Sequence, residues 1–151
     1  METVSQLLVN KGPTVHTIDR MATVFDAITK MVERNVGALL VMDGLRACGI
    51  LTERDYLRKV AVCGRSSRTT RVEEIMSSGL ISVSPDTAIE ECMDLMTRNR
   101  IRHLPVFEGS QLAGIVSIGD LVKSLAGDRL SQIEQLTAYV QRGEFAYRTT
   151  G

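Results

Sequence analysis

The chain has 151 residues, 44% of them hydrophobic and 24% charged, which supplies a packed core and excludes a disordered polymer. Lys and Arg together number 18, as do Asp and Glu, so no net field draws the chain to nucleic acid or to an anionic membrane. Aromatics, at 4% with no Trp, provide no stacking platform for single-stranded bases.

The opening METVSQLLVNKGPTV carries no charged-then-apolar leader, and no later run approaches the length of a membrane span. The expected location is the cytoplasm, or an organelle matrix where a transit peptide has been removed. A short helix at Val4–Leu8 precedes a strand at Val15–Ile18. A helix over about 23–34 follows, with Val24, Ile28 and Met31 at i, i+4 and i+7. The apolar strand Val36–Met42 then turns at Asp43-Gly44 into Ala47–Leu51, which runs directly into a helix starting near Glu53. After a polar, basic stretch, GRSSRTTRV, the same series returns. It has a short helix at Val72–Met76, a strand at Leu80–Val83 and a helix over about 87–98 announced by Ser84-Pro85-Asp86-Thr87. Arg102–Phe107, a turn at Glu108-Gly109, Leu112–Val116 and a helix from near Ile118 complete it. Beyond Gly127, Leu130, Ile133, Leu136 and Val140 space an apolar stripe along one helical face.

The two series superimpose. Residues 35–57, NVGALLVMDGLRACGILTERDYL, lie over 100–122, RIRHLPVFEGSQLAGIVSIGDLV, at a constant offset of 65. Leu39/Leu104, Val41/Val106, Gly44/Gly109, Gly49/Gly114, Ile50/Ile115 and Asp55/Asp120 are identical. Self-similarity at a fixed period marks a duplicated supersecondary unit. The expected fold is α/β (α+β): two tandem β-α-β-β-α repeats packed as a pseudo-two-fold pair, with a C-terminal amphipathic helix. Repeat 1 takes 1–63, a linker 64–71, repeat 2 72–126, and the final helix and tail 127–151. One unit of about 55 residues buries too little surface alone. Packing two sheet to sheet supplies the burial and leaves a cleft between equivalent faces, where ligands bind.

Cys48, Cys63 and Cys92 form no CxxC pair, and with only His16 and His103 besides they make no zinc site at workable spacing. No metal is expected to be needed for folding, and separated thiols fit a reducing compartment. Met21, Met31, Met76, Met93 and Met96 read as core fillers. GIVSIG is not a G-x-S-x-G elbow, no phosphate-binding glycine loop is present, and no set of acids and bases suggests an enzyme.

Both repeats end in G-h-h-[ST]-x-x-D, as Gly49-Ile50-Leu51-Thr52-Glu53-Arg54-Asp55 and Gly114-Ile115-Val116-Ser117-Ile118-Gly119-Asp120. With RIRHLPVF ahead of the second hairpin, these residues resemble the CBS domain from Val4 to about Leu125. The run TERDYLRKVAVCGRSSRTTRVEEIM is similar to small stand-alone CBS pairs (Bateman modules) of bacteria and plant organelles. The resemblance implies a disc-like, non-catalytic pair that homodimerises and binds an adenosine-type nucleotide. AMP comes first, with ATP, ADP, NAD or S-adenosylmethionine as the other ligands. It implies a regulated protein partner as well, of thioredoxin type among some plant members. The competing expectation is a nucleotide-independent dimerisation or protein-interaction module working through the C-terminal helix.

Thr52 and Ser117 stand where a strand becomes a helix, so free N–H groups and the helix dipole favour a phosphate there. Asp55 and Asp120, one turn inside, are acceptors for a ribose diol. The same Thr-x-x-Asp and Ser-x-x-Asp patterns are also imperfect capping boxes, and one hydroxyl can serve both purposes. Arg102 and His103 match positions that give AMP-binding CBS proteins their phosphate cations. Repeat 1 has Gly37 and Ala38 there, so the two halves are not equivalent, and Arg54 is the candidate cation for the first. An exposed strand end and a solvated first turn are the plainer readings of these three. The resemblance offers Ile18, Ile81 and Val83 as an adenine slot, although core packing is the stronger expectation for each. Arg58, Lys59, Arg65, Arg68 and Arg71 read as a solvated basic face.

Overall fold

Strand alternation decides what each half of the chain buries. The computed structural model describes residues 2–12 and 14–141, the side chains at 128–132, 135–136 and 139–141 excepted. A first helix, α1 (Val4–Lys11), leads into β1 (Thr17–Asp19), α2 (Val24–Arg34), β2 (Ala38–Asp43) and β3 (Arg46–Thr52). In β2, Leu39 and Val41 turn to one face, and with Leu51 of β3 they pack beneath Val24, Ala27 and Met31 of α2. Leu40, on the opposite face, is fully buried as well. β1 runs parallel to β2, which pairs antiparallel with β3 through a two-residue hairpin that Gly44 enters at φ +61°. Thr52 then starts α3 (Glu53–Tyr56), which widens into a π-helical turn at Leu57–Ala61 that the sequence does not announce.

The second half repeats this plan with α4 (Val72–Ile75), α5 (Ile89–Asn99), β4 (His103–Glu108), β5 (Gln111–Ser117) and α6 (Ile118–Gln141). The strand expected at Leu80–Val83 is reduced to a single parallel bridge between Val83 and Val106. Chemistry at one position explains the loss. In the first half the Leu40 amide donates to the His16 carbonyl at 3.1 Å. The matching residue in β4 is Pro105, which has no N–H to give Ile81, so the ladder begins only at Val83. The Ser84–Thr87 signal closes a turn, Thr87 N–H to Ser84 O at 3.1 Å, and α5 itself begins two residues later than 87.

The leading helices are exchanged between halves. Val4 and Leu7 of α1 belong to the core of the second half, with Ile89, Leu104, Val106 and Leu121. Val72 and Ile75 of α4 belong to the core of the first, with Val24, Leu39 and Leu51. Thr3 bridges Ala88 as Arg71 bridges Thr23, and Val4 N–H to Thr87 O (2.9 Å) mirrors Val72 N–H to Ala22 O (2.9 Å). Each fully buried Val or Leu adds about 1.5–3 kcal/mol, so each half is stabilised by a helix the sequence places before the other. Gly49 and Gly114 sit at the crossings. A Cβ on Gly49 would stand 2.6 Å from Met76 Sδ and 2.9 Å from Ser77 O; one on Gly114 would stand 2.8 Å from Leu8 Cδ2.

The methionine reading holds for Met31 and Met96, which are buried, and for Met76 and Met93, which pack at the core margins. It fails for Met21, 45% exposed, whose sulfur instead meets Arg71 Nη1 at 3.7 Å. The linker cations are largely engaged. Arg65 pairs with Glu74 (2.7 Å), and Arg68 lies 4.0 Å above the Phe25 ring. α6 runs through Gly127 without a break, and Ile133 on it is 59% exposed. The side chains of Leu130, Leu136 and Val140, which carry the rest of the proposed stripe, lie outside the described residues.

Candidate functional site

Two strand-to-helix corners carry the nominated hydroxyl–acid pairs, and both are reciprocal caps. At the first, Thr52 N–H and Oγ1–H donate to Asp55 Oδ2 (3.0 and 3.1 Å), and Asp55 N–H returns to Thr52 Oγ1 (3.2 Å). At the second, Ser117 N–H donates to Asp120 Oδ2 (2.9 Å) and Asp120 N–H to Ser117 Oγ (3.1 Å). The capping reading is therefore realised at both corners, and each aspartate retains lone pairs for a further donor.

What fills those lone pairs differs. Asp55 Oδ1 receives Lys59 Nζ from one turn along its own helix, at 3.2 Å. Asp120 Oδ2 receives Lys11 Nζ, from the end of α1, at 2.6 Å, and the same ammonium donates to Ile115 O at 2.7 Å. Burial alone would raise the Asp120 pKa, but the donors from Lys11 and Ser117 outweigh it and hold the carboxyl below its ordinary range.

His103 is cross-strand partner to Ser117 and brings the second cation position to the same corner. It is not an exposed strand end. Its Nδ1 is buried and has no hydrogen-bond partner among the described residues. Desolvation, aided by the charges of Lys11 and Arg102, pushes its pKa down against a smaller opposing effect of Asp120. Arg102 itself is exposed, and its carbonyl accepts from Ile118 N–H (2.9 Å). Arg54 is exposed at the first corner. Ile18 and Ile81 pack against the two cores, and Val83 is a core residue.

A hollow of about 530 Å³ opens beside the second corner, lined by Glu2, Asn10, Lys11, Asp120, Lys123 and Ser124 among others. The Ser124 hydroxyl donates to the Glu2 carboxylate at its rim. Of the nominated residues Asp120 alone lines it. Among the described residues, no hydrogen bond or ion pair joins the two corners, and no group of three or more His, Cys, Asp or Glu stands ready for a metal. Sequence reasoning missed Lys11 and Lys123. Lys11 carries no local signal, because its partner is Asp120, 109 residues away in the chain.

The duplicated β-α-β-β-α plan, the exchanged helices and the paired corners agree with a comparison of the sequence. The family model of the CBS domain matches twice, at residues 4–62 and 72–127. The chain belongs to the CBS-domain family. It is a tandem pair, and no helix among its described residues is long and apolar enough to cross a membrane. This CBS pair is 46% identical over 126 residues to the mitochondrial CBS domain-containing protein CBSX3 of Arabidopsis thaliana, an alignment covering 80% of the chain and 61% of the plant protein. The chain thus spans about three-fifths of that relative's length. A CBS-domain protein from Burkholderia ambifaria MC40-6 superposes at TM-score 0.82 with 51% identity, covering 84% of this chain and 96% of that one. The CBS pair of MJ0100, determined in complex with 5′-methylthioadenosine and S-adenosyl-L-methionine, shares the fold at TM-score 0.73 with 21% identity, covering 85% and 98%.

Proposed function

We propose that this CBS pair is a non-catalytic regulatory module that binds an adenosine-type nucleotide, AMP foremost, at the Ser117–Asp120 corner. The observation that carries the proposal is Asp120. It is a carboxylate kept ionised at the start of α6, lining a hollow beside the cations Lys11 and Lys123. A ribose diol is matched by the acid, and a phosphate by the cations and by His103. The fold shared with the nucleoside-bound MJ0100 pair is consistent with it. The Thr52–Asp55 corner, with Arg54, is the other half-site, its acid paired with Lys59 as Asp120 is with Lys11. A homodimer would then relay occupancy to a protein partner, of thioredoxin type on the resemblance to plant members.

A thermal-shift panel of AMP, ADP, ATP, NAD and S-adenosylmethionine tests this, because a ligand that binds only the native state raises Tm. Asp120→Ala should then weaken AMP binding by about ten- to a hundred-fold, the loss of charge-assisted hydrogen bonds worth ~1.5–3 kcal/mol. Unchanged affinity would remove Asp120 from the site. One observation favours the interaction-module reading: both hydroxyls and both acids already have partners within the protein. That reading requires no Tm shift from any adenylate.

A further inference from the structure

Each corner acid has a lysine on it, but the lysines come from different places. Superposing the exchanged helices sets Val4 on Val72 and Leu8 on Met76, an offset of 68 that puts Lys11 over Gly79. The first half therefore has no counterpart of Lys11, and its acid is served from within its own helix by Lys59. At the second corner the ammonium arrives from the far end of the chain, on the last residue of α1 before Gly12, whose φ is +92°. It bonds the Asp120 oxygen and one backbone carbonyl while standing on the wall of the hollow that Lys123 also lines.

From this placement, and resting on the nucleotide-binding reading above, we infer that Lys11 is the specificity-determining residue of the second half-site, selecting adenosine ligands by the negative charge of their phosphate chain. A ribose diol that donates to Asp120 takes the acceptor Lys11 now uses. The displaced ammonium has an open direction, into the hollow, where it joins Lys123 as a second cation. A phosphate chain gives it a replacement anion; adenosine leaves it only the Glu2 carboxylate, which already accepts from Ser124, and the sulfonium of S-adenosylmethionine repels it. Affinity is therefore expected to be higher for the phosphorylated ligands, AMP and ATP, than for adenosine, with Lys11 responsible for much of the difference. His103, whose buried Nδ1 has no partner among the described residues, belongs to the same corner but does not line the hollow.

Calorimetric titration of the full chain with adenosine, AMP, ATP and S-adenosylmethionine tests the assignment, comparing the parent with Lys11→Gln and Lys11→Arg. Lys11→Gln should lower ATP affinity by about tenfold or more while leaving adenosine equal or tighter, so that the ATP-to-adenosine ratio collapses. Lys11→Arg should restore most of that ratio, which a purely structural role would not require. A ratio that survives Lys11→Gln overturns the inference and leaves the nucleotide reading intact. A parent chain that binds none of the four overturns both. Should Lys11→Gln prove unstable by Tm, Lys123→Gln probes the same cation pair, and an undiminished ATP preference there equally counts against the assignment.

Discussion

Gly49 has no side chain because Met76, on the helix borrowed from the other repeat, lies where its Cβ would be, 2.6 Å from Sδ. Gly114 does the same for Leu8. The two crossings differ in what can yield. At Gly49 the Ser77 carbonyl also stands at 2.9 Å, in a strip of backbone fixed by reciprocal hydrogen bonds between Ile50 and Ser77. At Gly114 the obstruction is the Leu8 side chain alone. Overpacking costs about 1–3 kcal/mol, so Gly49→Ala should fall at the top of that range and Gly114→Ala near the bottom. Urea denaturation of both variants measures the order, and equal losses would contradict the crossing geometry.

Exchange of the leading helices makes a truncation act at a distance. Removing residues 1–11 strips Val4 and Leu7 from the core of the second half while leaving the first half's cluster complete. Amides of β4 and β5 should lose hydrogen-exchange protection well before those of β2 and β3. Protection lost first in β2 and β3 would mean that α1 serves its own repeat after all.

Acid should weaken the fold in two steps. The folded pKa of His103 is depressed, chiefly by desolvation, so below its unfolded value of about 6.5 the unfolded chain takes up a proton that the native state resists. Stability then falls as pH drops through that region. Asp120 is depressed too, through Lys11 and Ser117 acting against its burial. Its contribution is complete above the unfolded carboxylate value of about 3.9 and is lost as pH falls through the folded one. Urea midpoints at pH 7.5, 5.5 and 2.5 should decline in that order. His103→Gln should flatten the first interval and Asp120→Asn the second; a first interval unaltered by His103→Gln would rule His103 out as its source.

Thiol reactivity should rank by access. Cys63 is exposed, Cys48 is half-buried with a pKa raised by desolvation, and Cys92 is buried with its pKa pushed up to about 11. Since the thiolate is the reactive form, a chromogenic disulfide should titrate Cys63 quickly, Cys48 slowly and Cys92 only on unfolding. Mass mapping of the labelled peptides reads the order directly, and early labelling of Cys92 would show that its core opens readily.

The duplicated plan was legible in the chain because period-2 and i, i+4 apolar patterns are local, and a constant offset of 65 displays them twice. The helix-starting roles of Thr52 and Ser117 were legible for the same reason, since a cap and its acid lie within one turn. Where local rules competed, the outcome was less visible. The segment Leu80–Val83 reads as a strand, yet one missing N–H, on Pro105 across the sheet, cut its pairing to a single bridge.

By itself, the sequence determined the two-fold repetition, the hairpins, the caps and the set of acids and hydroxyls at the corners, all consequences of neighbours along one chain. Only the tertiary structure decided that each leading helix serves the opposite half, why Gly49 and Gly114 must be bare, and that Lys11 rather than a residue of its own repeat holds Asp120. Those are meetings of segments far apart in sequence. They are fixed by which apolar face is left to cover and where the chain can reach it, and no local pattern records either.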